Sequence, residues 1–87
     1  MSKQDKTVDV WEENVMKAFG EVLRAFRRTK KLTQEELGLE ADVDRVFISR
    51  LESGLQKPSL VTLFRVAKVL GVEPHEFVKE VQQKLPQ

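Results

Sequence analysis

The chain has 87 residues, of which 40% are hydrophobic and 33% are charged, and this composition allows one small globular domain and excludes wholesale disorder. It contains no cysteine and one histidine, which excludes disulfides, thiolate metal sites and histidine-rich metal clusters, so we expect neither a metal nor a cofactor. The net charge is only +1, but the charges are segregated, with five cations in residues 24–31 and five anions in residues 35–44.

The N-terminal stretch, MSKQDKTVDV, contains no apolar signal core. No apolar run in the sequence approaches the roughly 18 residues that span a bilayer. We therefore expect a cytoplasmic protein with no membrane partner. Residues 1–9 are predicted to form a flexible tail, and residues 10–85 are predicted to form a single domain.

The first predicted helix runs from about residue 10 to about residue 30. Asp9 is its expected N-cap, and Glu12, three residues later, completes a capping box. Gly20 lies within the pattern, so two shorter helices that break near it remain an alternative. The apolar stripe of this helix, at spacings of three and four, consists of Trp11, Val15, Phe19, Val22, Leu23 and Phe26.

Two short helices are predicted next, over residues 34–41 and 45–53. Thr33 and Glu36 form a second capping box at the start of the first of them, and Asp44 is the expected cap of the other. The inner faces of these two helices are predicted to carry Leu37, Ala41, Val43, Phe47, Ile48 and Leu51.

The turn that joins these two helices spans only residues 42–44. Helices joined so tightly cannot form an antiparallel hairpin, so they must cross steeply, which is the helix-turn-helix geometry. Asp42 is predicted to adopt a left-handed conformation, which aspartate tolerates better than most residues. Gly38 is small where the helices approach, and Val43 is predicted to fill the gap between them.

Two further helices complete the pattern. Ser59 is expected to cap the fourth helix and Gly71 to end it, while Pro74 fits the first turn of the fifth. No segment alternates convincingly with the two-residue period of a strand, so the predicted fold is all-α with five helices. The predicted apolar sides are Leu60, Leu63, Phe64, Ala67 and Leu70 in the fourth helix, and Phe77, Val78, Val81 and Leu85 in the fifth.

A more specific signal comes from three stretches of the chain: FGEVLRAFRRTKKLTQEEL, ISRLESG and KPSLVTLFRVAKVLGV. They resemble the Cro/repressor-like, or XRE-like, helix-turn-helix transcription regulators over about residues 19–78. The resemblance implies a compact five-helix, lambda-repressor-like DNA-binding domain, here with an N-terminal helical extension. It also implies that the third helix enters the major groove of double-stranded DNA.

The outward positions near the start of the third helix are the candidates for base contacts. The resemblance assigns them to Arg45 and Arg50, whose side chains suit bidentate contact with guanine. Val46 suits a thymine methyl group, and Ser49 suits a base edge or a phosphate. Phe47 lies where the family often has threonine or tyrosine, and we expect it to pack partly in the core rather than to contact a base.

Contacts to the DNA backbone are expected to come from helix ends. Gln34 and its neighbour Thr33 resemble the phosphate site that the family has at the start of the second helix. Ser53 and Lys57 resemble a second phosphate site in the loop after the third helix. An ordinary solvated surface is the alternative for Gln34 and Lys57.

A structural ion pair is also implied by the resemblance. Arg27 and Glu52 occupy positions where the family often has a partly buried pair that aligns the first helix with the third. Arg24 and Arg28 are alternative partners, because spacing alone does not distinguish them.

The chain departs from the family pattern at three positions. Gly38 replaces the usual alanine, which is expected to loosen the second helix slightly, and Asp42 replaces the usual glycine of the turn. Asp44 replaces the usual serine or threonine cap and brings a negative charge close to DNA. We expect Asp44 to cap the helix rather than to contact a cytosine.

A homodimer is expected because one module of this kind buries little surface on DNA. Trp11 precedes the family match, and folding back onto the C-terminal helix of the same chain is the alternative for it. The candidates for the dimer interface are Trp11, Val15, Val78, Val81 and Leu85.

These features predict a sequence-specific regulator of transcription that binds a palindromic or nearly palindromic operator as a homodimer. Restriction–modification controllers and small phage repressors share this single-domain form. The alternative is an antitoxin or an adaptor that acts mainly by binding a protein partner. An enzyme is not expected, because His75 stands alone in the sequence and no serine has a histidine partner in view.

Overall fold

The computed structural model describes residues 9–86, which form five α-helices and no β-strand. The helices are α1 Val10–Thr29, α2 Gln34–Ala41, α3 Arg45–Glu52, α4 Leu60–Leu70 and α5 Pro74–Lys84. The predicted all-α, five-helix fold is therefore confirmed. The tail predicted for residues 1–9 lies outside the described residues except for Asp9. Within the described part of the chain, no helix has both the length and the hydropathy needed to cross a membrane.

Short-range capping bonds set several of the helix ends. The Thr33 N–H donates to Glu36 Oε1 at 2.8 Å and the Glu36 N–H to Thr33 Oγ1 at 3.0 Å, so the predicted capping box of α2 is present. Ser59 caps α4 by accepting a hydrogen bond from the Thr62 N–H at 3.0 Å, and Gly71 ends that helix with a φ of 72°. Each of these contacts joins residues that are close in the chain, which is why the pattern predicts them.

The first helix is continuous, so the alternative of two helices that break near Gly20 is wrong. Gly20 is instead the point where α1 touches the end of α3, since a Cβ atom there would lie 2.6 Å from the carbonyl oxygen of Glu52. Asp9 caps α1 by accepting from the Glu12 N–H at 2.7 Å. The predicted capping box is not completed, because the Glu12 side chain pairs with Lys57 instead.

The core receives side chains from every helix. Phe77 of α5 is fully buried and packs on Phe19 and Phe26 of α1, with ring centroids 5.0 and 5.6 Å apart. This aromatic packing attaches the last helix to the first. The other large side chains with full burial are Leu23, Leu37, Ile48, Leu51 and Val66.

The side of α4 that faces the core agrees with the prediction at Leu63, Ala67 and Leu70, which are buried, but not at the other two predicted positions. Leu60 and Phe64, which were expected to face inward, are 69% and 53% exposed. Val66 completes the buried stripe instead, because it has the three-and-four spacing to the other inner residues of α4. An apolar stripe is therefore left on the outside of α4.

Two of the predicted dimer residues are used within their own chain. Val81 is buried in the core, and Leu85 packs against the core just beyond α5, so the apolar side of α5 is largely consumed by its own fold. Val78 is exposed and Val15 is half-buried. Trp11 is 70% exposed, so the alternative in which it folds back onto the C-terminal helix does not hold.

Candidate nucleic-acid interface

The turn between α2 and α3 depends on two residues that allow an unusual backbone. Asp42 adopts the predicted left-handed conformation, with φ 59° and ψ 48°. The Val43 N–H donates to the Gly38 carbonyl oxygen at 2.8 Å. A Cβ atom on Gly38 would lie 2.5 Å from the Val43 carbonyl oxygen, so the missing side chain allows the close approach that aims α3 across α2.

The third helix has one buried face and one exposed face. Asp44 caps it by accepting from the Val46 N–H at 2.7 Å. Ile48 and Leu51 are fully buried, and Phe47 is half-buried against the core. The predicted base-contact residues lie on the other side: Arg45, Val46 and Arg50 are exposed, and Ser49 is half-buried.

Glu52, the last residue of α3, makes a buried ion pair with α1. Its side chain is fully buried, and Arg27 donates to both carboxylate oxygens, from Nε at 2.6 Å and from a terminal nitrogen at 2.9 Å. Arg27 also donates to the Leu32 carbonyl oxygen at 2.8 Å. Arg24 makes a longer contact of 3.4 Å with Glu52, whereas Arg28 is exposed. Arg27 is therefore the main partner, at the position that the resemblance implies.

This network keeps its members charged. Burial alone would raise the pKa of Glu52, but hydrogen bonds from Arg27 and Gln34, together with the positive charge of Arg27, outweigh burial and lower that pKa from its ordinary value of 4.5. The hydrogen bond to Glu52 raises the pKa of the Arg27 guanidinium above its ordinary value. At neutral pH the pair is therefore an ion pair rather than a neutral contact.

The N-terminal end of α3 lies beside the start of α2. Thr33, Gln34 and Arg45, all predicted to contact DNA, line one shallow depression there, next to Arg27. The Gln34 side chain is partly engaged, because its Nε2 donates to Glu52 at 3.0 Å. The sequence did not predict this contact, since nothing in the local pattern indicates a partner so distant in the chain. Gln34 therefore links the candidate phosphate site to the buried ion pair.

The C-terminal end of α3 lies beside the loop that follows it. Ser53 is the exposed C-cap of α3, and Lys57 pairs with Glu12 of α1. Arg50 leans toward the same loop, where its Nε donates to Gln56 Oε1 at 3.2 Å. The structure therefore gathers predicted DNA-contact residues at both ends of α3, and it engages Arg50 and Lys57 in contacts that the sequence did not predict.

An exposed apolar surface along α4 was missed by the sequence analysis. We call it the α4 face, and its apolar members are Leu60, Val61, Phe64, Val72 and Pro74. Arg65, Lys68 and Glu73 lie at its margin. The available signal was the string LVTLF, which holds more apolar residues than one side of a helix can bury.

Comparison with known proteins identifies the same region of the chain. A sequence model of the helix-turn-helix family matches residues 23–77. The control protein C.BamHI of Bacillus amyloliquefaciens is 35% identical over 66 residues, which are 75% of this chain and 82% of that protein. The restriction-modification controller protein C.AhdI from Aeromonas hydrophila has a similar structure, with a TM-score of 0.69 and 35% identity over 71% of this chain and 94% of that one. The biofilm master regulator SinR, solved in complex with DNA, has a TM-score of 0.66 and 31% identity over 69% of this chain and 97% of that one.

Proposed function

The chain belongs to the helix-turn-helix family, and from that membership we propose that it is a transcription regulator that binds double-stranded DNA as a homodimer. The observation that carries the proposal is the two-sided construction of α3. Ile48 and Leu51 are fully buried on one side, while Arg45 and Val46 are exposed on the other. Because the inner side of such a helix stays packed in the core, its outer side chains can be presented to the major groove.

Base recognition is assigned to the exposed side of α3. Arg45 and Arg50 suit guanine O6 and N7, Val46 suits a thymine methyl group, and Ser49 suits a base edge. Arg45 stands at the open margin of the depression beside α2. Arg50 must give up its contact with Gln56 before it reaches a base. Arg45 is therefore the arginine that needs less rearrangement before it contacts a base.

Phosphate contacts are assigned to two groups of residues beside α3. Thr33 and Gln34 lie at the start of α2, where they line a depression together with Arg45. Ser53 is the C-cap of α3, and Lys57 lies in the loop that follows it. Contacts of this kind fix the register and orientation of a recognition helix on the duplex without reading its sequence.

The dimer contact is assigned to the α4 face. A two-fold contact places the same surface on both copies, so its apolar residues meet each other and its margin must be complementary to itself. The margin satisfies this requirement, because it carries Glu73 together with Arg65 and Lys68. The exposed residues Trp11 and Val78 are the alternative contact, whereas Val81 and Leu85 are already used in the core of the chain.

The proposal is tested by selecting bound sequences from random duplex DNA with the purified chain. We expect an enriched inverted repeat whose half-sites lie about one helical turn, roughly 34 Å, apart. That spacing would report both the homodimer and the use of α3 in successive major grooves. Matched selections with Arg45→Ala show whether enrichment depends on the exposed side of α3.

The second candidate is a module that acts mainly by binding another protein, as an antitoxin or an adaptor does. The observation that favours it is the α4 face, because an exposed apolar surface is also a typical site for a protein partner. Selection without enrichment at moderate salt, together with a monomer in sedimentation, would replace the regulator proposal with this one.

A further inference from the structure

One contact connects the N-terminal part of α1 with the loop that follows α3. Lys57 Nζ pairs with Glu12 Oε2, and the Lys57 side chain is 63% exposed while that of Glu12 is 31% exposed. Glu12 lies in the first turn of α1 and outside the stretch that matches the family, residues 23–77. This carboxylate therefore lies beside a cation that is assigned to a DNA phosphate.

The contact is held in place by the surrounding backbone. Asp9 caps the first turn of α1, accepting from the Glu12 N–H at 2.7 Å. One turn further on, α1 lies against the loop itself, since a Cβ atom on Gly54 would lie 3.1 Å from Lys17 Cγ. The packing of α1 against the loop thus holds Glu12 and Lys57 close to each other.

We propose that Glu12 competes with the DNA phosphate for Lys57 and thereby lowers the affinity of the chain for DNA of any sequence. This inference rests on the proposed function, because it treats Lys57 as a phosphate contact. A phosphate that approaches Lys57 must displace the carboxylate or accept a second anion beside it. The contact carries no base information, so Glu12 lowers specific and non-specific binding alike.

The competition acts on the sequence-independent part of the affinity and leaves the ratio of specific to non-specific affinity unchanged. Phosphate contacts supply nearly all of the affinity for non-specific DNA, and the genome offers a vast excess of such sites. A built-in anion reduces that sequence-independent affinity while the base contacts of α3 remain. Glu12 therefore acts on DNA binding through Lys57, and it is not itself a DNA contact.

The test replaces Glu12 by glutamine, which removes the charge and keeps the shape. The matched control is Glu13→Gln, because Glu13 is exposed in the same turn of α1 and the substitution changes the net charge by the same amount. The probe is a fluorescently labelled duplex of mixed sequence, about 30 base pairs or roughly three helical turns long. Its binding to the full chain is followed by anisotropy between about 50 and about 200 mM salt.

We expect Glu12→Gln to tighten binding about three- to fivefold, near the upper end of what an exposed ion pair supplies, and to steepen the salt dependence by up to about one phosphate contact. Glu13→Gln is expected to change affinity less than about twofold, because long-range charge effects are screened. In a Lys57→Ala background, Glu12→Gln is expected to lose its specific effect and to match Glu13→Gln.

Three results would overturn the inference. Equal effects of Glu12→Gln and Glu13→Gln would show a general charge effect, and an effect of Glu12→Gln that persists without Lys57 would show a different partner. Weaker binding by Glu12→Gln, with an unchanged thermal melt, would show that Glu12 positions Lys57 for DNA instead of competing with it. Absence of DNA binding by the unaltered chain, by contrast, would be a failure of the proposed function.

Discussion

At the scale of single residues, Glu52 connects three helices. Its carboxylate accepts from Arg27 of α1 and from Gln34 of α2, while its own backbone ends α3. Taking such a group out of water is costly, so the gain in net stability is expected to be small. The main effect is geometric, because one buried acceptor fixes α3 relative to the two helices beside it.

The lowered pKa of Glu52 predicts a pH-dependent contribution to stability. Because the pKa in the folded state lies below its ordinary value of 4.5, the contribution is fully present at neutral pH and is lost as the pH falls through the folded-state pKa. We expect Glu52→Gln to reduce the free energy of unfolding by about 3 kcal/mol at pH 7, since it leaves Arg27 buried without its anion. The difference from the unaltered chain should shrink as the pH falls below the ordinary value of 4.5 and through the lower pKa of the folded state.

Urea unfolding at several pH values measures this difference. The control is Arg24→Ala, because the Arg24 side chain is 44% exposed and its contact with Glu52 is longer, so it should cost no more than about 1 kcal/mol. A gap between Glu52→Gln and the unaltered chain that does not shrink as the pH is lowered to the acid limit of the folded state would contradict the assignment to the carboxylate charge.

The two exposed arginines of α3 give a second residue-scale prediction. We expect Arg45→Ala and Arg50→Ala each to weaken binding to a selected operator by about 1–3 kcal/mol and to relax base preference at one position. Competition with single-base operator variants measures both effects. Lys57→Ala serves as the contrast, because a phosphate contact should weaken all sequences alike. Unchanged base preference in both arginine variants would remove α3 as the recognition helix.

At the scale of elements, the crossing of α1 with α3 decides how α3 is presented. Gly20 lies at this crossing, where the backbone of α1 approaches the carbonyl oxygen of Glu52 too closely for a side chain. Helix propensity by itself favours alanine over glycine by about 1 kcal/mol. The packing of two helices opposes this preference, and overfilling a close contact typically costs about 1–3 kcal/mol.

Gly20→Ala is therefore expected to lower the free energy of unfolding by up to about 2 kcal/mol, although alanine has the higher helix propensity. Ala25→Gly is the matched inverse, at an exposed position of the same helix, and it measures the propensity effect alone, about 1 kcal/mol. Both are read by chemical denaturation. If Gly20→Ala stabilised the chain, α1 and α3 would have to move apart at little cost. That result would contradict the close approach of the two helices in the structure.

At the scale of the whole molecule, DNA binding and dimerisation are proposed to use two separate surfaces. We propose that the exposed side of α3 faces DNA and that the α4 face receives a second copy. Both surfaces belong to one domain, because α2 packs on both α3 and α4. In such a dimer, the packing within each copy and the contact at the α4 face would together set the orientation of the two recognition helices and the half-site spacing.

A charge placed within the α4 face should disrupt the dimer without disturbing the fold. Val61 is 61% exposed, and Val61→Asp brings like charges together across a two-fold contact, so we expect dimerisation to weaken about tenfold or more. Leu39→Asp is the control, because Leu39 is an exposed apolar residue of α2 outside that face. Sedimentation equilibrium measures both. A dimer that survives Val61→Asp and is lost on Trp11→Asp would move the contact to the start of α1.

The sequence by itself determined the features that depend on neighbouring residues. The capping box of Thr33 and Glu36, the left-handed Asp42 and the cap supplied by Asp44 all arise from contacts within one turn of helix. Their energies depend on local backbone geometry, so the pattern of residue types was sufficient. Five helices and a tight turn between the second and third followed from these signals.

Only the tertiary structure decided which of several equivalent partners or faces was used. Glu12 was a suitable capping-box residue, yet it pairs with Lys57, which is distant in the chain. Apolar residues surround much of α4, so its pattern alone did not distinguish the inner side from the outer one that carries Phe64. The physical reason is that burial and ion pairing depend on which other element occupies the neighbouring space, and this is set by the packing of all five helices together.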